Sequence, residues 1–258
     1  MHTSNLALLN AVLFVVQAIV NVVYAKYFVI LAREYETLIA PASFAFAIWF
    51  LIYALEAVLV SVDVFYPQYS LYADASQPGQ LRACFGLTCV FNTLWLILYV
   101  KHHVHAATVM IILLWLSLLM LYIYSINDRN SLADMDWRLY VCNELPIALY
   151  FAWVTVLTFN HVAISLQHTR QAFLPVSVYV IHLTIVIVLA LIAIIYGQDM
   201  AFGAVVIWYL SAVAAKHGQV PQQIEVADKC VRACAGEGAG IIGTILVISL
   251  LYMLMYDR

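Results

Sequence analysis

Long apolar stretches recur along this chain, and they constrain its fold more than any other feature of the sequence. A helix needs roughly 20 apolar residues to cross the hydrocarbon core of a bilayer. The stretches are Leu6–Leu31, Ser43–Phe65, Leu81–Val100, Val104–Ile126, Leu139–Ser165, Phe173–Gly197, Ala201–Ala215 and Gly240–Tyr256. The pattern therefore predicts about eight membrane-spanning helices, of which Ala201–Ala215 is the shortest.

The composition indicates a membrane protein, and the pattern of its apolar residues indicates helices. Hydrophobic residues make up 66% of it and charged residues 10%, whereas a soluble domain has roughly 45–50% and about 25%. The apolar runs lack the alternation of a membrane β-barrel, and a helix satisfies its own backbone groups in lipid. We predict an all-α, polytopic helix bundle in contact with the lipid bilayer. The net charge of −3 and the lack of a basic block disfavour a nucleic-acid partner.

Polar-tipped aromatic faces occur on the second, third and fifth predicted helices. Their residues are Trp49, Tyr53 and Glu56 on helix 2, Asn92, Trp95 and Tyr99 on helix 3, and Asn143, Pro146, Tyr150 and Trp153 on helix 5. Helical spacing places the members of each set on one side of their helix. Burying an unpaired polar group in lipid costs roughly several kcal/mol, so these faces should turn towards each other or towards a cavity.

Simpler interpretations remain open for single residues. Asn92 can be an interhelical hydrogen-bond partner, and the tryptophans can be packing groups. Glu56 lies thirteen residues after Ser43, deep in its span; it is either neutral and hydrogen-bonded or faces a cavity. A lone intramembrane imidazole such as His182 is more often a satisfied core group. A transporter or channel using Glu56 and His182 is disfavoured, because the sequence shows no paired set of broken helices.

The sequence lacks the common motifs of catalysis and metal binding. The chain contains no G-x-S-x-G, no phosphate-binding glycine loop and no H-E-x-x-H, so we do not expect an enzyme. Cys230 and Cys234 lack a second ligand pair at metal spacing, and no metal site is predicted. The apolar stripe around them instead predicts a short helix between Pro221 and Gly236 that lies along the membrane surface.

Three motifs, taken in chain order, resemble those of the TspO/MBR family, the translocator proteins also called tryptophan-rich sensory proteins. The family pattern P-x7-W-x3-Y corresponds to Pro41, Trp49 and Tyr53, the N-x-x-W pair to Asn92 and Trp95, and Y-x-x-W to Tyr150 and Trp153. The chain departs from the pattern at Ala45, where the family has phenylalanine, at Glu56, and at Pro146, where the helix 5 proline is displaced. It is similar to a longer, divergent branch of the family.

The resemblance covers residues 1–165 and leaves 166–258 as a three-helix membrane extension. It implies a pocket between helices 1, 2, 3 and 5 that binds a planar apolar ligand, such as a porphyrin or sterol-like molecule, for sensing or transport. The implied roles are stacking walls for Trp49, Tyr53 and Trp153, a floor for Asn92 and Trp95, a ligand contact for Tyr150, and a rigid lid element for Pro41. No cofactor is certain. The alternative is a structural accessory subunit of a larger membrane complex, and a homodimer is a further possibility.

Overall fold

The protein folds into helices throughout the part that the structure, a computed structural model, describes: residues 2–127, 136–216 and 220–256. No strand occurs among these residues. In chain order the longer helices are α1 His2–Glu34, α2 Ile48–Phe65, α3 Pro78–Val100, α4 Val104–Asn127, α5 Trp137–Arg170, α6 Val176–Ile195, α7 Met200–Ala214 and α8 Glu225–Tyr256. The all-α prediction is confirmed.

Helix length and exposed surface both suit a bilayer. Within the described ranges, seven helices are long and apolar enough to span one. The exception is α7, which has 15 residues and matches the segment that the sequence predicted to be shortest. Large apolar side chains such as Val22, Phe50 and Ile181 lie exposed, an arrangement that is stable against lipid rather than water. The chain is an integral, multi-pass membrane protein.

The last helix differs from the prediction. The sequence predicted a short surface helix between Pro221 and Gly236 followed by a separate span, but α8 continues without a break from Glu225. Glycine weakens an isolated helix, yet here it allows close packing. A Cβ added to Gly238 would lie 2.4 Å from Cδ1 of Ile187. Gly238 is therefore a packing position inside a helix and does not mark a helix end.

Helix α5 contains an irregular turn near its beginning. The segment Tyr140–Glu144 is π-helical, and Pro146, which has no N–H to donate, follows one residue after Leu145. Asn143 projects from this turn to the α2–α3 connection, where it accepts from the Leu71 N–H and donates to the Tyr69 carbonyl, both at 2.9 Å. Asn143, which the sequence placed on the aromatic face of helix 5, thus holds this connection.

Packing divides the chain into two units. The first contains residues up to Ile30 together with Ile48–Val154, and the second contains Leu31–Ala47 together with the residues from Thr155. In the first unit α3 packs on α4, and in the second α8 packs on α6 and α7. These units are defined by packing and not by family resemblance, so the boundary between residues 165 and 166 stays a prediction.

A buried ion pair joins α2 to α3 in the first unit. Arg82 Nη2 lies 2.6 Å from Asp63 Oδ1, and Arg82 Nε lies 2.9 Å from Oδ2. The Arg82 guanidinium is also 4.8 Å from the centre of the Tyr72 ring, and the Arg82 carbonyl accepts a hydrogen bond from Asn10 at 2.9 Å. Burial and the Asp63 carboxylate raise the pKa of the Tyr72 phenol above its ordinary range. The Asp63–Arg82 ion pair holds the end of α2 against the beginning of α3.

The α1–α2 connection is held within the second unit, largely by α7. The Tyr209 hydroxyl donates to the Ile39 carbonyl at 2.7 Å, and Trp208 Nε1 donates to the Ala45 carbonyl at 3.1 Å. Further bonds join the Ala42 N–H to the Ala212 carbonyl, Lys216 to Glu36 and Thr37, and Thr37 to Asn160. The short helix α7 thus satisfies backbone groups of an irregular segment that would otherwise be left without partners.

Candidate ligand-binding site

Five aromatic residues named from the sequence come together in the first unit. We call this set, Trp49, Tyr53, Trp95, Tyr150 and Trp153, the aromatic cluster. The Trp49 ring centroid lies 5.4 Å from that of Tyr53, 6.0 Å from Tyr150, 6.3 Å from Trp95 and 6.4 Å from Trp153. Trp49 is nearly parallel to Tyr53, at 16°, and perpendicular to Trp153, at 89°. Such pairs typically contribute about 0.5–1.5 kcal/mol beyond their burial.

Helical spacing explains how three helices supply these rings. Trp49 and Tyr53 stand one turn apart on α2, and Tyr150 and Trp153 stand three residues apart on α5, so each pair shares one face. Trp95 on α3 completes the set and is itself stacked on Tyr99, with centroids 6.5 Å apart. The local sequence pattern was therefore sufficient to indicate which side chains face the same region.

The aromatic cluster has a covered side and an accessible side. Trp95, Tyr150 and Trp153 are at most 1% exposed, whereas Trp49 and Tyr53 are half-buried. A flat ligand would therefore meet Trp49 and Tyr53 first. The Trp49 and Trp95 rings are 6.3 Å apart and tilted by 31°, while a planar ring stacked between two others needs roughly 7 Å. The two rings as they stand are therefore too close for a flat molecule to stack between them.

A group of buried polar side chains adjoins the aromatic cluster. This polar cluster consists of Gln17, Tyr53, Glu56, Asn92 and Tyr150. Gln17 lies next to the Tyr53 hydroxyl and Asn92 next to the Tyr150 hydroxyl, and Glu56 is within electrostatic reach of both phenols. Gln17, Glu56, Asn92 and Tyr150 are at most 1% exposed. Polar and aromatic side chains of α1, α2, α3 and α5 thus occupy one buried region.

Hydrogen bonding in the polar cluster is incomplete among the described residues. Both Glu56 oxygens, both amide atoms of Gln17, Asn92 Nδ2 and the two phenol oxygens have no hydrogen-bond partner there. The Asn92 oxygen does accept a bond from Asn21, at 2.9 Å. Buried polar atoms are almost always paired in native proteins, and each unpaired one costs about 1–3 kcal/mol. So many such atoms in one place provide hydrogen-bonding groups that a bound molecule can use.

Gln17 is a site residue that the sequence reasoning missed. It lies on α1 and is fully buried, with an exposed fraction of 0%. A signal for it exists, because Asn10, Gln17 and Asn21 are spaced i, i+7 and i+11 in an otherwise apolar helix. This spacing keeps all three on one side of α1. Polar residues at helical spacing, the pattern that singled out helices 2, 3 and 5, therefore also indicate Gln17 on helix 1.

Pro41, the remaining predicted site residue, belongs to the second unit. It is buried in the α1–α2 connection. Ala45, which stands where the family has phenylalanine, is fully buried in the same connection. The role of Pro41 in a lid stays a prediction.

Other candidate groups do not form a comparable site. His182 lies beside Phe159, with ring centroids 5.7 Å apart. Among the described residues, no three His, Cys, Asp or Glu side chains are grouped so that they could hold a metal ion. The second unit contains a cavity of about 580 Å³ whose lining includes Glu36, Gln167 and His168. Its charged and polar lining differs from the apolar rings of the aromatic cluster.

Together, the fold and this site define a class: a polytopic α-helical membrane protein with aromatic and polar side chains buried between its helices. A family model described as "TSPO-like protein" matches residues 5–249. The chain therefore belongs to the TSPO-like family, and the resemblance carried by its three motifs is confirmed. The match continues past residue 165 through α6 and α7 and into α8. No significant match was found among curated proteins or among solved structures.

Proposed function

We propose that this protein binds a planar, apolar ligand, such as a porphyrin or a sterol-like molecule, at the aromatic cluster, for sensing or transport. The observation that supports this most is the meeting of five aromatic rings from three helices around Trp49. Stacking on such rings and a few convergent polar atoms are what a binding site for a flat apolar molecule requires. The role proposed is binding without catalysis.

Access from the bilayer supports the same proposal. Trp49 is half-buried, and the next two residues of α2, Phe50 and Leu51, are 83% and 50% exposed. An apolar ligand dissolved in the membrane can therefore approach α2 laterally without passing through water. On arrival it exchanges contacts with lipid for stacking contacts with aromatic rings, and the polar cluster orients it.

The test is a titration of the purified protein with protoporphyrin IX dimethyl ester, a flat ring without free carboxylates, followed by tryptophan fluorescence. The chain has six tryptophans, and quenching by a ligand at the aromatic cluster should saturate. The Trp49→Ala variant should bind about tenfold more weakly, because one or two stacking contacts worth ~1.4 kcal/mol in total are removed. Trp208→Ala is the control: Trp208 is 40% exposed and packs edge-on against Phe44 at 5.2 Å, but it lies in the second unit.

Two results would count against this function. Protein-free micelles containing a free tryptophan analogue serve as the reference. Quenching that rises linearly with ligand concentration, both in these micelles and in the protein sample, would show partitioning into detergent instead of binding. Saturable quenching with the same affinity in the wild type and in Trp49→Ala would place the ligand away from the aromatic cluster.

The alternative function is that of an accessory subunit in a larger membrane complex. The observation that favours it is structural: the second unit uses α7 to hold the α1–α2 connection through side-chain and backbone hydrogen bonds. Extraction in a gentle detergent followed by native gel electrophoresis separates the two ideas. Migration as a small monomer from the native membrane would contradict the accessory role, and a large complex would support it.

A further inference from the structure

The polar cluster specifies the polar group of the ligand, which the aromatic rings alone do not. We propose that the molecule bound at this site is an amine, with a flat apolar body on the aromatic cluster and a protonated amino group on the Glu56 carboxylate. This proposal rests on the proposed function, because the same rings hold the body of the ligand.

The first argument is that the buried Glu56 carboxyl group lacks an opposite charge. Its side chain is 1% exposed, and neither carboxylate oxygen has a hydrogen-bond partner among the described residues. Arg82, a buried cation of the same unit, is already bound to Asp63 in a two-bond ion pair. A carboxyl group buried without an opposite charge favours its protonated, neutral form. A cationic ligand would supply the missing charge and so stabilise the carboxylate form.

The second argument is the number of hydrogen-bond acceptors around Glu56. An alkylammonium group has three N–H donors and no acceptor. The polar cluster offers it the carboxylate of Glu56, the amide oxygen of Gln17 and the hydroxyl oxygens of Tyr53 and Tyr150, all without partners among the described residues. An anionic ligand would instead face this carboxylate with like charge. The acceptor set therefore fits an ammonium head better than a carboxylate head.

The third argument is the combination of a carboxylate with aromatic faces. Organic cations bind over the faces of Trp and Tyr rings, which attract positive charge. Glu56 stands on α2 together with Trp49 and Tyr53, at i+7 and i+3 from them, so the rings and the carboxylate share one side of the helix. A metal ion would instead require several oxygen or nitrogen ligands. In the described part of the chain, no three His, Cys, Asp or Glu side chains are grouped so that they could hold such an ion.

The experiment compares three fluorescent probes that share one flat body: 1-aminomethylpyrene, which is cationic at pH 7, 1-pyrenemethanol, which is neutral, and 1-pyrenebutyrate, which is anionic. Each is titrated into wild-type protein in detergent, with energy transfer from tryptophan to pyrene as the signal and protein-free micelles as the reference. We expect the amine to bind about tenfold to a hundredfold more tightly than the alcohol, the range of one charge-assisted hydrogen bond. The anion should bind most weakly.

Variants then locate the effect. Glu56→Gln keeps the shape of the side chain but cannot carry a negative charge, so it should bring the amine to the affinity of the alcohol. Glu237→Gln on α8, where the side chain is exposed, is the matched control and should retain the preference for the amine. If Glu56→Gln does not fold, the wild-type comparison of the three probes still decides.

The outcomes separate this proposal from the function on which it rests. Equal wild-type affinity for amine and alcohol would overturn the amine while leaving a planar-ligand site in place. Failure of all three probes to bind saturably would overturn both. Competition also distinguishes two sources of an amino group: 9-aminomethylanthracene, a flat ring amine, should displace the pyrene amine at a lower concentration than sphingosine, a lipid amine. The reverse order would overturn the flat-ring part of the proposal.

Discussion

Removing the Asp63 carboxylate should destabilise the protein far more than removing a carboxylate from an exposed ion pair. Asp63 and Arg82 are joined by bonds of 2.6 and 2.9 Å, and their side chains are only 5% and 6% exposed. The Asp63→Ala variant leaves the Arg82 guanidinium buried with no opposite charge in contact. Because the end of α2 and the beginning of α3 meet at this pair, its loss should destabilise the two helices that carry Trp49 and Trp95.

The expected magnitude follows from burial. Breaking a buried pair by removing one partner costs about 3–5 kcal/mol, whereas replacing both partners with apolar groups costs much less. Asp63→Ala should therefore lower the free energy of unfolding by about 3–5 kcal/mol, and the double variant with Arg82→Leu should recover a large part of it. The matched control is Glu225→Ala, which breaks the exposed pair of Glu225 with Lys229 and should have no measurable effect.

Unfolding can be followed by titrating the protein with sodium dodecyl sulfate in mixed micelles. A fluorogenic maleimide reports the exposure of Cys89, which is 1% exposed in the folded protein, in a background where the other four cysteines are replaced by serine. A loss of less than about 1 kcal/mol in Asp63→Ala, within the range of surface pairs, would refute the reasoning. So would a double variant that is less stable than either single variant.

Two further predictions use the same assay. Tyr209→Phe should lower the free energy of unfolding by about 1–3 kcal/mol, because a buried carbonyl of the α1–α2 connection loses its donor at 2.7 Å. Its control is Tyr196→Phe, at a tyrosine that is 82% exposed, which should leave the stability unchanged. Equal losses in the two variants would contradict this prediction. Gly86→Ala should cost about 1–3 kcal/mol, because its Cβ would lie 2.8 Å from Asn10 Oδ1, whereas Gly243→Ala meets no atom within 4 Å and should be neutral or slightly stabilising. Similar values for the two alanines would show that Gly86 is not a contact position.

The helices and the members of the aromatic cluster could be predicted because both depend on patterns among residues that are close in the sequence. The length of an apolar run fixes a membrane span, and the spacing of Trp49 and Tyr53, or of Tyr150 and Trp153, fixes a shared helix face. Glu56 was recognised for the same reason, since it follows these residues at helical spacing. Gln17 could have been predicted in the same way, from its helical spacing to Asn10 and Asn21 on α1.

The remaining features depend on contacts between distant residues. Tyr209 and Ile39 are 170 positions apart, and no local pattern indicates that a hydroxyl on α7 will satisfy a carbonyl of the α1–α2 connection. The error in α8 has a related cause. The sequence ended the short helix at Gly236, because glycine weakens an isolated helix. The small size of Gly238, two residues further on, is used for contact with α6, which only the packed structure reveals. The partners of Asn143, the Leu71 N–H and the Tyr69 carbonyl, lie more than 70 positions away and are likewise not indicated by any local pattern.

The most direct measurement of the central claim is an experimental structure of the protein with protoporphyrin IX dimethyl ester bound. The account predicts that the porphyrin ring contacts the rings of Trp49 and Tyr53, and that the separation of the Trp49 and Trp95 centroids increases from 6.3 Å to roughly 7 Å. A porphyrin bound elsewhere, with the ring separations in the aromatic cluster unchanged, would contradict it.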